Sequence, residues 1–175
     1  MFGTLMLLVG PALGFRLLGA LGAARFPTWR VSAVHGLAVM LAVTATTHFV
    51  RSGATSMPGH EDMAAMVPPF VPWPHTMVYL TGVLEFLGAA GLVLAATRPA
   101  TGFALAVLFS LMLPANVYAA VEGVVFNGGA ATPLWVRVPV QAVFIAVALW
   151  AAVDERGVAQ RLPKAAAVRR PALQR

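Results

Sequence analysis

The stretch that decides the fold is Met66–Val121, which reads MVPPFVPWPHTMVYLTGVLEFLGAAGLVLAATRPATGFALAVLFSLMLPANVYAAV. It holds a proline-rich entry, two apolar runs joined by a short basic turn, and a single carboxylate, Glu85, in the first run. Each run lasts about twenty residues, which at about 1.5 Å per residue is enough to cross a hydrocarbon core of about 30 Å. Two spanning helices are therefore predicted. Glu85 is predicted to lie near the bilayer centre, where ionisable groups are costly and usually paired or functional.

The composition of the whole chain points the same way. Mean hydropathy is +0.81, with 59% hydrophobic and 10% charged residues, which leaves too little polar surface for a soluble globule of 175 residues. Alternating ten-residue segments, the signature of a membrane β-barrel, are absent from the sequence. The sequence therefore predicts an all-α integral membrane helical bundle.

The charge and the absence of cysteine limit the partners. Half of the twelve Lys and Arg lie in the last twenty residues, after the last apolar run. A basic tail behind a span is typical of an anchor beside anionic lipid rather than of a nucleic-acid arm, so no nucleic acid is expected as a partner. With no Cys, the chain can hold neither an iron–sulfur cluster nor a covalent haem by itself.

The chain divides into three predicted parts. Residues 1–27 form an N-terminal transmembrane helix, residues 31–153 a four-helix membrane bundle, and residues 154–175 a basic cytoplasmic tail. A signal peptide is the alternative for the first part, but it lacks a positive start and carries Arg16 in its apolar region. The spacing of Gly10 and Gly14 favours close helix approach, and thereby a homo-oligomer. The later spans are predicted at Val31–Val50, His75–Thr97, Gly102–Val121 and Pro133–Val153.

Short-loop charges predict the orientation of the five spans. With the tail inside, the inner loops hold Arg25, Arg30 and Arg98, whereas the outer loops hold only Arg51. Because Lys and Arg accumulate in cytoplasmic loops, the C-terminus is predicted to be cytoplasmic and the N-terminus outside.

In this topology most polar residues of the spans fall in the outer half. We expect one polar cavity that opens outward beneath the proline segment Pro68–Pro74, with Glu85 accepting a hydrogen bond or ion pair from Arg137. The alternative is that this pair only holds the bundle together. The residues predicted to line the cavity are Glu85, His48, Asn116, Arg137, Tyr79, Gln141, Pro69 and Trp73.

Histidines offer two further interpretations. His48 and His75 both lie at outer helix ends and are candidate axial ligands of one b-type haem, although histidines at helix ends more often bond headgroups or loop carbonyls. The run His60-Glu61-Asp62 has three metal-capable side chains, but consecutive side chains diverge, so no metal site is predicted.

Four segments resemble a known family in their order and spacing. They are His48-Phe49, Met66–Pro74, Thr81–Leu92 running on to Thr97-Arg98, and Leu113–Tyr118. Together they are similar to the DoxX family of small bacterial four-helix membrane proteins, over roughly residues 31–153. The resemblance implies a four-helix bundle in the bacterial cytoplasmic (inner) membrane, to which this chain adds an N-terminal helix and a tail.

The resemblance also implies a function. Relatives in the DoxX family include a membrane subunit of a thiosulfate:quinone oxidoreductase and a partner in a thiol-linked oxidative-stress complex. This chain contains no Cys, so its own side chains provide no thiol for the thiol chemistry of those relatives. The positions that match the family-like segments are His48, Pro69, Pro72, Glu85, Pro114 and Asn116.

Two functional hypotheses follow. In the first, the protein binds a quinone-like amphiphile and serves a membrane redox partner, so that it is an enzyme at most as an oxidoreductase subunit. Glu85 is then the proton acceptor, His48 a proton exchanger, Asn116 and Tyr79 orient the ligand, and the proline segment is a lid. In the second, it is a non-catalytic binding or assembly protein that carries a lipid, a cargo or a partner helix.

Overall fold

The computed structural model describes residues 2–125, 129 and 132–153, and within these ranges it contains six α-helices. Five of them are long and apolar enough to cross a membrane, which confirms the prediction of an all-α membrane protein. The predicted tail 154–175 lies outside the described residues. The helices are α1 (Phe2–Ala20), α2 (Trp29–Thr47), α3 (His60–Ala65), α4 (Pro74–Val93), α5 (Arg98–Val121) and α6 (Leu134–Ala152).

Local sequence signals explain where several helices begin. The side chain of Thr28 caps α2 by accepting a hydrogen bond from the amide of Val31 at 3.3 Å. Proline occupies the first turn of α4 and of α5, where its missing N–H costs nothing and its fixed φ favours the helix. The bounds of α2, α4, α5 and α6 consequently lie within about four residues of the predicted spans, whereas α1 ends at Ala20, before the predicted end at residue 27.

Four helices form a closed ring. The neighbours around it are α2 with α4, α4 with α5, α5 with α6, and α6 with α2, so α4 and α6 lie diagonally across the bundle. The centre is apolar and fully buried at Val34, Leu37, Leu41 and Leu92. At Gly102 helix α5 approaches α6 closely, because a Cβ atom there would lie 2.5 Å from the carbonyl oxygen of Ala148 on α6.

Helix α1 packs on the outside of this ring, against α2. Its buried residues Leu8 and Ala12 face Gly36, where a Cβ atom would lie 2.5 Å from the Leu8 carbonyl oxygen. Gly10 and Gly14 are exposed, and a Cβ atom at either would meet nothing within 4 Å. This small-residue pair therefore lies on the outward face of α1, and the homo-oligomer remains a prediction.

The short helix α3 packs on the first turns of α4. Sequence polarity predicted a loop here, but Asp62 accepts a hydrogen bond from the amide of Gly59 at 2.9 Å and so stabilises a helix start. Two further bonds join this turn to Ser52: its amide donates to Glu61 at 2.8 Å, and its hydroxyl accepts from the Asp62 amide at 3.0 Å. The segment between α2 and α4 is thereby held at the end of the bundle that was predicted to face outward, called the outer end below.

Candidate functional site

A buried histidine–glutamate pair lies between α2 and α4. His48 follows the last residue of α2, Glu85 lies midway along α4, and only 4% and 5% of their surfaces are exposed. The distance from His48 Nε2 to Glu85 Oε1 is 3.6 Å, and Thr44 donates its hydroxyl to Glu85 Oε2 at 2.9 Å. The helices approach closely at Gly82, where a Cβ atom would lie 2.6 Å from His48 Cβ.

The hydrogen bonds of His48 determine which of its two ring nitrogens carries a hydrogen and which one faces Glu85. His48 Nδ1 lies 2.8 Å from the carbonyl oxygen of Val78, and a carbonyl only accepts, so Nδ1 carries a hydrogen. Nε2 faces Glu85 Oε1 at 3.6 Å, which is longer than a hydrogen bond but within reach of an ion pair when the imidazole is protonated. Two titratable groups buried this close together are a candidate functional site.

The depth of Glu85 differs between α4 and α2. It lies near the middle of its own helix, as predicted, while its side chain meets Thr44 and His48, at the last turn and the end of α2. The first turns of α4 therefore extend past α2, where α3 packs against them. Measured against α2, Glu85 lies at the outer end rather than at mid-span. Depth counted along one helix missed this, because it ignores the offset between neighbouring helices.

The predicted pair of Glu85 with Arg137 does not form. Arg137 Nη1 donates to Asn116 Oδ1 at 2.7 Å, and Arg137 Nε donates to the carbonyl oxygen of Thr132 at 3.0 Å. One turn further along α6, Gln141 donates to the carbonyl oxygen of Phe109 at 2.9 Å. The reason is topological, since α4 and α6 are diagonal whereas α5 and α6 are neighbours.

The structure thus divides the predicted site residues among three places. Glu85 and His48 lie between α2 and α4, whereas Asn116, Arg137 and Gln141 cross-link α5 to α6. Pro69 and Trp73 are exposed in the segment before α4. Beneath that segment lies an open, mainly apolar groove of about 480 Å³, but neither Glu85 nor His48 lines it. Its walls are Pro68, Phe70, Ser110, Leu113, Pro114, Val117, Tyr118, Val121 and Glu122.

An exposed aromatic stripe adjoins the buried pair. Phe49 lies 5.7 Å from Tyr79 and 6.1 Å from Phe86, measured between ring centroids. These three side chains, 46%, 47% and 40% exposed, are called the aromatic stripe below. Phe49 follows His48 and Phe86 follows Glu85 in sequence, so the stripe lies beside the His48–Glu85 pair. His75, the other candidate haem ligand, bonds His60 through Nδ1 at 2.9 Å.

Trp73 has a strained backbone. It has φ 53° and ψ 61°, a left-handed conformation that is a clear outlier for a bulky residue, and it directly precedes Pro74. Its side chain is 72% exposed, so little packing offsets the strain.

We expect Trp73→Gly to raise the free energy of unfolding in detergent by about 1 kcal/mol, because glycine adopts this conformation freely. Thermal melting followed by circular dichroism measures the change. Phe70→Gly is the control, since Phe70 is also exposed but does not have a positive φ, and it should give no gain. Equal shifts in both variants would contradict the strain at Trp73.

A family comparison bears on which of these residues belong together. The model of a domain of unknown function, DUF8561, matches residues 37–152, about two thirds of the chain. The chain belongs to the DUF8561 family. The DUF8561 segment covers most of α2 and all of α3 to α6, and it contains both His48 with Glu85 and Asn116 with Arg137. No curated protein and no solved structure matches the chain. The resemblance to the DoxX family remains a prediction.

Several residues of this candidate site were missed by sequence reasoning. No role was predicted for Thr44 or Phe86, and Phe49 was noted only beside His48 in one of the family-like segments. The spacing of Tyr79 and Phe86, seven apart on one helix, does indicate a common face. Phe49 follows the end of α2, and its contact with Tyr79 and Phe86 depends on how α2 packs against α4. No local sequence pattern predicts that packing.

Proposed function

We propose that this membrane protein binds a quinone-like amphiphile against the aromatic stripe and that the His48–Glu85 pair exchanges protons with it. The observation that carries the proposal is a buried histidine–glutamate pair, with 3.6 Å between Nε2 and Oε1, beside an exposed row of three aromatic rings. In this proposal the protein serves a membrane redox partner, which supplies or removes the electrons.

The chemistry of a quinone suits these two features. A flat ring packs well against Phe49, Tyr79 and Phe86, since aromatic rings stack with offset or edge contacts. Reduction of a quinone to a quinol takes two electrons and two protons. The pair delivers one proton at a time and is refilled from the aqueous side, while the electrons come from the partner. Glu85 and His48 thus keep their predicted roles, and Thr44 orients the carboxylate.

The finer architecture belongs to the same proposal. We take the ring of α2, α4, α5 and α6 as a DoxX-like core in a bacterial inner membrane, with the tail in the cytoplasm. Exposed aromatic side chains support a membrane position, because such residues concentrate at headgroup level. Phe70, Trp73 and Trp135 lie near the outer end, and Trp29 and Trp150 near the other.

The test is to purify the protein in mild detergent and to identify what accompanies it by mass spectrometry and absorbance. We expect a quinone with the wild type and at least about tenfold less with Glu85→Gln, which corresponds to about 1.4 kcal/mol of binding. Glu122→Gln is the matched control, because it changes an exposed carboxylate at the groove in the same way. It should retain the quinone fully.

Two other outcomes would contradict this site or the whole proposal. Loss of the quinone in Glu122→Gln but not in Glu85→Gln would move the site to the groove under the proline segment. A protein that purifies without quinone would contradict the proposal.

A second candidate is a non-catalytic lipid-binding or assembly protein, and the groove favours it. The groove holds about 480 Å³ and is walled mainly by apolar side chains such as Phe70, Leu113 and Val117, which suits an acyl chain. In the same experiment this candidate gives lipid retained equally by the wild type and by both variants.

A further inference from the structure

Two histidines meet at the outer end, apart from the pair that the proposed function uses. His60 is the first residue of α3 and is buried, and His75 is exposed in the first turn of α4. The distance from His60 Nε2 to His75 Nδ1 is 2.9 Å. Their ring planes differ by 19° and their centroids lie 5.1 Å apart, so the two nitrogens face each other nearly in plane.

The hydrogen bond of His60 Nδ1 determines the protonation of His60 Nε2, the nitrogen that faces His75. His60 Nδ1 lies 2.8 Å from the carbonyl oxygen of His48 and therefore carries the hydrogen. In the neutral ring Nε2 then carries no hydrogen, and its lone pair points at His75 Nδ1. A histidine that donates one N–H to a backbone carbonyl and presents the other nitrogen has the arrangement usual for metal-ligating histidines.

We propose that a divalent transition-metal ion, for which Zn²⁺ is the probe, binds between His60 Nε2 and His75 Nδ1 and joins α3 to α4. Two imidazole ligands of a tetrahedral zinc ion lie about 3.3 Å apart, given Zn–N bonds of about 2.0 to 2.1 Å. At the observed 2.9 Å the two nitrogens point at each other and His75 Nδ1 donates its hydrogen to His60 Nε2. Binding one ion therefore requires His75 to change tautomer and to turn, so that its Nδ1 moves about 2 Å to the side. His75 can provide both, because it is exposed at the start of its helix.

Surrounding groups determine the rest of the coordination. The ring of Tyr79 stacks on His60 with centroids 4.2 Å apart and covers one face of it. Among the described residues, no group of three or more metal-capable side chains forms, so water completes the shell. Glu61 and Asp62 are engaged with the amides of Ser52 and Gly59, and their charges favour a cation nearby without binding it.

The site does not rest on the proposed function, and its test is binding rather than turnover. The untagged full-length protein in detergent is titrated with ZnCl₂ by isothermal calorimetry, at a pH where histidine is neutral. We expect one Zn²⁺ per chain and a higher melting temperature with the ion, because binding to the folded state alone stabilises it. We expect His75→Gln to weaken the affinity at least about tenfold, since it removes one of two protein ligands.

Thr76→Gln is the matched control, because Thr76 is the next exposed residue of α4 and offers no ligand. It should bind Zn²⁺ as the wild type does. The test uses His75→Gln rather than a substitution of His60, because His60 also donates a hydrogen bond to the His48 carbonyl and its loss would disturb the fold. A wild type without Zn²⁺ binding would overturn the site, and so would unchanged binding in a folded His75→Gln protein.

Discussion

The Gly102→Val variant is expected to lower the free energy of unfolding by about 3 kcal/mol. A Cβ atom at Gly102 would lie 2.5 Å from the carbonyl oxygen of Ala148 and 2.7 Å from the amide nitrogen of Ala152. Both are backbone atoms of α6 and cannot rotate away, so the helices must separate. Membrane helices depend on such small residues, because their association relies on close packing.

The measurement is unfolding in mixed detergent with increasing SDS, followed by tryptophan fluorescence. Gly10→Val is the matched control, since it makes the same change in another apolar helix at a position where a Cβ atom meets nothing within 4 Å. It should shift the free energy by no more than about 0.5 kcal/mol. A large loss in Gly10→Val would instead indicate that another chain covers this face of α1, as the predicted homo-oligomer requires.

The Arg137→Met variant is expected to lower the free energy of unfolding by about 2 to 3 kcal/mol. The guanidinium is buried and donates to Asn116 Oδ1 and to the Thr132 carbonyl oxygen. Removing it leaves two partly buried acceptors without this donor, at about 1 kcal/mol or more each. Arg137→Lys should recover only part of the loss, because an ammonium group lacks the planar fork that reaches two acceptors.

A double-mutant cycle separates this bond from a general effect of burial. When Asn116→Leu is combined with Arg137→Met, no unpaired amide remains, so the double variant should be at least about 1 kcal/mol more stable than the sum of the two losses implies. Arg51→Met, at an exposed arginine, should change stability by less than about 0.5 kcal/mol. Strict additivity of Asn116→Leu and Arg137→Met would show that the contact contributes nothing.

Much of the fold could be predicted from local signals, and the pairing of polar residues could not. Hydropathy located the spanning helices, because it acts along a single segment, whereas the starts of α4 and α5 at Pro74 and Arg98 lie before the predicted ones. Which helix faces which is a property of the closed ring. Arg137 was therefore assigned to Glu85 by similar depth, whereas the ring places it beside Asn116.

The candidate site shows the same division. Glu85 was predicted as a site residue because a carboxylate is rare in an apolar run, and His48 was predicted because it lies near the end of a span. Their contact depends on the offset of α4 against α2 and on the close approach at Gly82. Gly82, three residues before Glu85, is the one local signal that could have indicated a tight helix crossing there.

The offset of α4 past α2 also affects the surrounding lipid. The outer end of the bundle is stepped, because α2 ends at the level of Glu85 while α4 continues outward beside α3. A bilayer that follows this step is thinner on the α2 side than on the α4 side, at a cost of a fraction of a kcal/mol per ångström. The proton exchange that we propose for Glu85 would then cover a shorter distance to water than the place of Glu85 halfway along α4 suggests.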